Sequence, residues 1–323
     1  MANAREILTR IKSVKNTKKI TKAMEMVAAA KMRKAIEAVL HTRTYANLSW
    51  TTVINLSKAT GDTGNLHPLL VKREKVKRVG ILLLSSNRGL CGGFNSAILK
   101  KVDDSIVKHD KNTDGEKIEH EIIVVGTRGL NIYSKYGHKV VAEFPKLDIV
   151  SEVIEVRPMA KLLTDDFLSG KYDKVMVAFT DFVSASSQVS RIKQLLPVDV
   201  TAEEDHELGV VGKDTRVGLD KKFVKEKEEK YLKEEKDSYV FTFEPTPYQV
   251  LNEMMPRLIE VQLYQALLES NASEHSARMT AMHQASESAS DLADQLRLFY
   301  NKARQAAITN EIAEISAGAN AVN

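Results

Sequence analysis

The sequence predicts an α/β protein in which two long helices, one at each end of the chain, flank a central domain of alternating strands and helices. Three observations predict it. Residues 2–59 contain neither proline nor glycine, and their apolar residues recur at helical spacing. Residues 257–317 are likewise free of both. Between these ends, short apolar runs of strand type alternate with amphipathic segments, the pattern of a largely parallel sheet with helical crossovers.

The N-terminal segment, 1–60, places Ile7, Ile11, Val14, Ile20, Met24, Val27, Ile36 and Val39 on a helical repeat, and Ala28, Ala29 and Ala30 add helix propensity. The C-terminal segment, 246–323, opens with Thr246 as N-cap, Pro247 at the first helical position and Gln249 two residues later, a capping box of the T-x-x-Q kind. Pro256 is expected to kink this helix without ending it, and Gly318 is a plausible stop. About 57 helical residues span roughly 85 Å, and about 70 span roughly 105 Å. A compact domain of this length has a radius of gyration of only about 20 Å. Rods of that size must leave the globule, most economically as an antiparallel pair. Bundles of shorter helices remain the alternative, and the missing Gly and Pro favour rods.

Charge points the same way. Residues 1–43 carry eleven Lys/Arg and three acids, a balance of +8, whereas 248–323 carry five basic residues and nine acids, a balance of −4. The net charge of +4 thus conceals two opposed ends. Residues 270–293 place Ala and Ser where a buried stripe would hold Leu or Ile. Such a slender helix suits close approach to a partner helix or clearance inside a collar, and an ordinary exposed helix is the competing reading.

The central domain, 75–200, begins with the apolar run 79–84, then the loop SSNRGLCGGF, then a helix over 95–109. Strand 121–126, a helix over 128–136 stopped by Gly137, strand 139–144, a helix over 158–169, strand 173–179 and a final strand within 187–198 complete it. Gly89, Gly92 and Gly93 match no dinucleotide or P-loop spacing, so the loop reads more readily as a tight strand-to-helix turn than as a phosphate cradle. A nucleotide-dependent enzyme using this loop is one rival reading. Residues 201–238 form a third zone: within 203–236, 20 of 34 residues are charged, which suggests a solvated excursion with one helix over 219–236.

Composition excludes several classes. A single cysteine, Cys91, permits no internal disulfide and no thiolate cluster, which suggests a reducing compartment. The longest apolar run is six residues, against about 18 for a bilayer span. The first residues lack the apolar core of a signal peptide, so secretion is not expected. His275 and His283, eight residues apart, are too distant to share a metal, and no catalytic motif is found; no cofactor is expected. The basic N-terminal segment raises a second rival, nucleic-acid binding, but only Tyr45 and Trp50 offer aromatics there and no groove-reading motif accompanies them.

Four stretches carry a family resemblance: IKSVKNTKKITKAMEMVAAAKMRKA (11–35), RGLCGGFN (88–95), SEHSARMTAMHQA (273–285) and YNKARQAAITNEIAEISAGANAV (300–322). Together they resemble the gamma subunit of bacterial F-type ATP synthases over essentially the whole chain. The resemblance implies an antiparallel coiled coil of the two terminal helices beside a central Rossmann-like α/β domain. It implies a non-catalytic rotor shaft that couples rotation of a membrane c ring to ATP synthesis or hydrolysis, with the alpha and beta subunits, the epsilon subunit and the c-subunit ring as partners. The location implied is peripheral, on the cytoplasmic face of the bacterial inner membrane.

Residue by residue, it implies beta-subunit contacts for Met24, Lys18, Lys19, Lys22, Arg304 and Gln305, and c-ring contacts for Phe243 and Glu244. Ile312 and Ile315 would form a tip held in an apolar sleeve. Asn87 and Ser288–Ser290 depart from the common family pattern. Residues 201–238 hold no cysteine, so they lack the redox pair of chloroplast members.

Overall fold

The structure is a computed structural model that describes residues 4–60, 67–73, 75–112, 118–148, 152–198, 244 and 246–322. The charged zone and the helix expected at 219–236 lie outside the described residues. Element order is α1 (Ala4–Thr60), β1 (Arg78–Leu84), α2 (Phe94–Asn112), β2 (Glu119–Val125), α3 (Thr127–Tyr136), β3 (Val140–Phe144), α4 (Arg157–Leu168), β4 (Lys174–Phe182), β5 (Gln188–Leu196) and α5 (Pro247–Val322). Short 3-10 turns at Pro68–Leu70 and Val153–Val156 add to these. The two terminal segments are each one helix, so rods, not bundles, form the ends.

The chain divides into two compact units, 1–28 with 278–323, and 29–277. In the larger unit, the five strands run in the order β3-β2-β1-β4-β5. β1 to β4 are parallel and β5 returns antiparallel against β4. Parallel neighbours need crossovers, and α2, α3 and α4 supply them.

Alternation along the strands separates two cores, because successive side chains point to opposite faces. Val79, Ile81, Leu83, Ile122 and Val124 face Ile98, Leu99 and Val102 of α2 and Tyr133 of α3. Leu82, Leu84, Ile123, Val125, Val177 and Phe179 face Met159, Leu163 and Phe167 of α4 and the run Leu251–Leu268 of α5. The first half of α5 is therefore a layer of the domain itself. A glycine is required at 126, where φ is +96° and a Cβ would lie 2.7 Å from the Ser85 carbonyl oxygen. Gly137 ends α3 in the left-handed conformation, as its position after Tyr136 predicts.

Three sequence readings need revision. The amide N–H of Gln249 donates to Thr246 Oγ1 (3.3 Å), but the Thr246 hydroxyl lies 3.2 Å from Gln249 Oε1, so the side chains meet each other and the reciprocal half of the box is not made. Gly318, expected as the stop of α5, does not end it: the helix runs on to Val322. Residues 270–276 are buried within the domain, which overturns the exposed-helix reading there, while Ala272 packs on Ala35 and Ile36 of α1 as the small-residue reading expects. Their small polar side chains serve as donors to domain carbonyls: Ser273 to Thr180 (3.0 Å) and Ser276 to Ala185 (2.7 Å).

Candidate functional site

The smaller unit holds most of the residues the sequence singles out. On α1, Ile7, Thr21 and Ala28 are buried and Ile11, Val14, Met24 and Glu25 are half-buried. On α5, Met282, Ser286, Ala289 and Ala293 are buried, followed by half-buried Leu296, Tyr300 and Ala303. These α5 positions alternate steps of four and three residues, the spacing that keeps one stripe facing a partner helix. Their small size draws the helix axes close.

Polar contacts fix direction and register. Lys18 Nζ donates to Ser290 Oγ (2.9 Å), and seven residues on, Glu25 meets His283 Nδ1 (3.3 Å), seven residues back. Index rises on one helix as it falls on the other, so the pairing is antiparallel. Its polarity is unexpected: here the acid belongs to the basic helix and the imidazole to the acidic one. Glu25 also takes the ammonium of Lys22 (2.9 Å), whose hydrogen bond is the main cause of a carboxyl pKa below the usual range. Burial opposes that shift, and His283 adds to it.

The register sorts the other expected residues. Lys18, Lys19 and Lys22 are exposed along α1, with Arg10, Lys12 and Lys15 continuing the basic surface, and Met24 is half-buried beside them. Extending the 18–290 and 25–283 pairing sets Arg304 opposite Ala4. Arg304 and Gln305, both exposed, thus lie about 30 Å along the axis from the level of Met24, at roughly 1.5 Å per residue. The two groups are not brought together. By the same register Ile312 and Ile315, 59% and 67% exposed, lie beyond the start of α1 on a single helix. Glu244 is exposed, and Phe243 lies outside the described residues.

The glycine loop after β1 behaves as a turn. Leu90 and Gly92 both have positive φ (62° and 55°), and Gly89 leaves its would-be Cβ 3.1 Å from the Arg128 guanidinium. Several of its polar groups are spent within the loop itself. Asn95 Oδ1 accepts from the Ser86 amide (3.0 Å), and Ser86 Oγ donates to the Arg88 carbonyl (2.8 Å). Cys91 is buried here, with Asn95 Nδ2 donating to its sulfur (3.3 Å). A groove of about 850 Å³ between α2 and α3 adjoins the loop, lined by Lys100, Asp103, Arg128 and Lys135 among others. Among the described residues, no group of three or more His, Cys, Asp or Glu could hold a metal ion, and no helix is long and apolar enough to cross a membrane.

Sequence reasoning missed a polar cluster in the larger unit. The ammonium of Lys146 and the carboxylate of Glu274 meet at 2.6 Å with side chains 2% and 5% exposed. Asn271 donates to the Leu147 carbonyl (3.3 Å), His275 Nε2 to that of Asp148 (3.1 Å), and Lys31 pairs with the Asp148 carboxylate (2.7 Å). That Lys31 hydrogen bond is the largest cause of the lowered Asp148 pKa. The available signal was the run of small donors Asn271, Ser273 and Ser276 shortly after the apolar run Ala266–Leu268. Their acceptors are backbone carbonyls, which no sequence pattern marks.

Comparison with known proteins places the chain among subunits of ATP synthases: the family model described as ATP synthase matches residues 3–322. Relatives named ATP synthase gamma chain include those of Haemophilus influenzae (strain PittGG), 36% identical, and Nitrosomonas eutropha, 38% identical. That of Herpetosiphon aurantiacus is 39% identical, and in all three comparisons each chain is covered in full. The chain belongs to the ATP synthase gamma-chain family. Its fold is shared with chains of two solved assemblies. One is the rotor of Euglena gracilis mitochondrial ATP synthase, with TM-score 0.58, 17% identity, and 94% and 98% of the two chains covered. The other is the central stalk and c ring of the Tetrahymena thermophila mitochondrial enzyme, with TM-score 0.54, 22% identity, and 83% and 99% covered.

Proposed function

We propose that this chain is the central shaft of an F-type ATP synthase, turning with the membrane c ring and setting the state of the catalytic sites without catalysing the reaction itself. The observation that carries this reading is the antiparallel register of the two chain ends, 18 with 290 and 25 with 283, in a family member whose relatives match over their full length. In this reading the smaller unit is a two-stranded coiled coil within a ring of three alpha and three beta subunits. The larger unit meets the epsilon subunit and the c ring, on the cytoplasmic face of the bacterial inner membrane, with protons as the coupling ion.

The physical requirement is asymmetry. A rod touching three beta subunits alike shifts none of their open and closed equilibria; only differential contact does so. Two unlike helices supply it. The exposed lysines 18, 19 and 22 with Met24 present one surface to a beta subunit, and Arg304 with Gln305 presents another about 30 Å away along the axis. Separated levels let one beta subunit be gripped at two heights. Ile312 and Ile315 would turn in an apolar sleeve, and Phe243 with Glu244 would meet the polar loops of the c ring.

The test is reconstitution. Hexamers assembled with this chain should hydrolyse ATP and, on membranes carrying the c ring, pump protons; the purified chain alone should hydrolyse none. Substantial hydrolysis by the isolated chain, or pumping that persists when the chain is omitted, would sink the proposal.

A further inference from the structure

Helix α5 is gripped where it leaves the sheet domain. Asn271, Glu274 and His275 bond to the loop after β3, at Leu147, Lys146 and Asp148 in turn. Ser273 and Ser276 bond to the end of β4 and the turn beyond it, at Thr180 and Ala185. At about 100° per residue, the first three side chains and the last two leave the helix in directions roughly 180° apart. Two opposed grips form a couple, which resists rotation of a cylinder about its own axis far better than one grip of equal strength.

The grips are themselves braced. Asn87 Nδ2 donates to the Lys146 carbonyl (2.6 Å), the Lys146 ammonium sits 5.4 Å from the centre of the Phe94 ring, and Gln188 Nε2 donates to Ser276 Oγ (3.3 Å). Lys31 of α1 holds Asp148, and Ala272 packs on Ala35, Ile36 and Phe182. Thus α1 is fastened to the same loop. Apolar packing alone would give a smooth contact that slides. Directed hydrogen bonds to backbone carbonyls, and a buried ion pair, do not slide without breaking.

We propose that residues 271–276 with 146–148 and 180–185 are the torque joint of this chain, the place where rotational load passes between the sheet domain and α5. The inference rests on the shaft reading. These are positioning residues: they touch no nucleotide and act by keeping the helix from turning within its domain.

The experiment uses membrane vesicles containing the whole ATP synthase with this chain, reading protons pumped per ATP hydrolysed against a rising opposing gradient. The triple variant Asn271→Ala, Ser273→Ala, Ser276→Ala should hydrolyse normally with the gradient dissipated. Under load, its slippage should rise by about a factor of five for each hydrogen bond removed. A protons-per-ATP ratio equal to the parent's at every load overturns the proposal. Lost stability alone would lower the amount of assembled complex and leave that ratio unchanged.

A second variant needs no weakened fold. Ala185→Cys with Ser276→Cys, oxidised to a disulfide across the joint, should leave pumping intact, because a rigid joint does not move in turnover. Loss of pumping on oxidation, restored by reduction, would also overturn it. Failure of the shaft reading is separately visible, as pumping by the parent complex that does not depend on this chain.

Discussion

Two stretches of the same helix invert the usual relation between hydrophobicity and burial. Residues 261–276 of α5 are buried on every side, although they include Gln262, Gln265, Glu269, Asn271, Glu274 and His275. Residues 298–315 expose Leu298, Phe299, Ile308, Ile312 and Ile315. Inside the domain, polar groups bring specificity of angle; at the tip, apolar groups are available to a partner. The difference teaches that burial along α5 follows whether the chain's own domain surrounds each turn. It does not follow the helix's own composition.

The contrast can be broken most forcefully at the buried end. Glu274→Ala, leaving the Lys146 ammonium buried without its carboxylate, should cost about 3–5 kcal/mol in denaturant unfolding, whereas the paired change Lys146→Met with Glu274→Leu should be close to neutral. Equal losses in both would show that the pair acts through shape alone. Gly126→Ala comes next. Its positive φ and the 2.7 Å approach to the Ser85 carbonyl predict a loss of about 1–3 kcal/mol, seen as a lower Tm.

Acid should act on the larger unit first. His67 is buried, its Nδ1 accepts from the Leu69 amide (3.2 Å) and its Nε2 faces Asn252 Oδ1 (3.2 Å). Burial holds its pKa below the ordinary histidine value. The unfolded chain therefore binds the proton more readily, so stability is full above about 6.5 and declines as pH falls below it. Denaturant midpoints measured from pH 8 to 5 should fall, and His67→Gln should flatten that slope. Glu25, in the smaller unit, has a depressed carboxyl pKa; its contribution is present above about 4.3 and is lost as pH falls through the lower folded value. Glu25→Gln should therefore lower stability by a constant amount above about pH 5 and remove the decline at lower pH.

The smallest change in stability is expected at the tip. Ile312→Ser with Ile315→Ser should leave unfolding of the isolated chain within about 0.5 kcal/mol, because among the described residues both side chains are mostly exposed. Assembly with the alpha and beta subunits should weaken. A large stability loss in the isolated chain would mean that the tip is buried by the chain itself.

Much of the fold was legible in residue order. The Gly- and Pro-free ends, the apolar runs at Val79–Leu84 and Ile122–Val125, and Gly137 after α3 each report a local rule, and each was found where expected. The boundary of the sheet domain within α5 was not legible. Ser270, Ala272, Ser273 and Ser276 have the composition of an exposed or loosely packed helix, and only their acceptors make them a clamp. The separation of Met24 from Arg304 was equally hidden, because register between two distant helices depends on which turns meet.

The sequence by itself determined the elements: helix length, strand period, turn positions and the opposed charge of the two ends, since these depend on neighbours within a few residues. Tertiary structure alone decided the pairing of 18 with 290, the reversed polarity of Glu25 and His283, and the burial of Lys146 against Glu274. Those contacts join residues more than a hundred positions apart. Their energy depends on distance and exclusion of water, which become defined only when the sheet, α1 and α5 are packed.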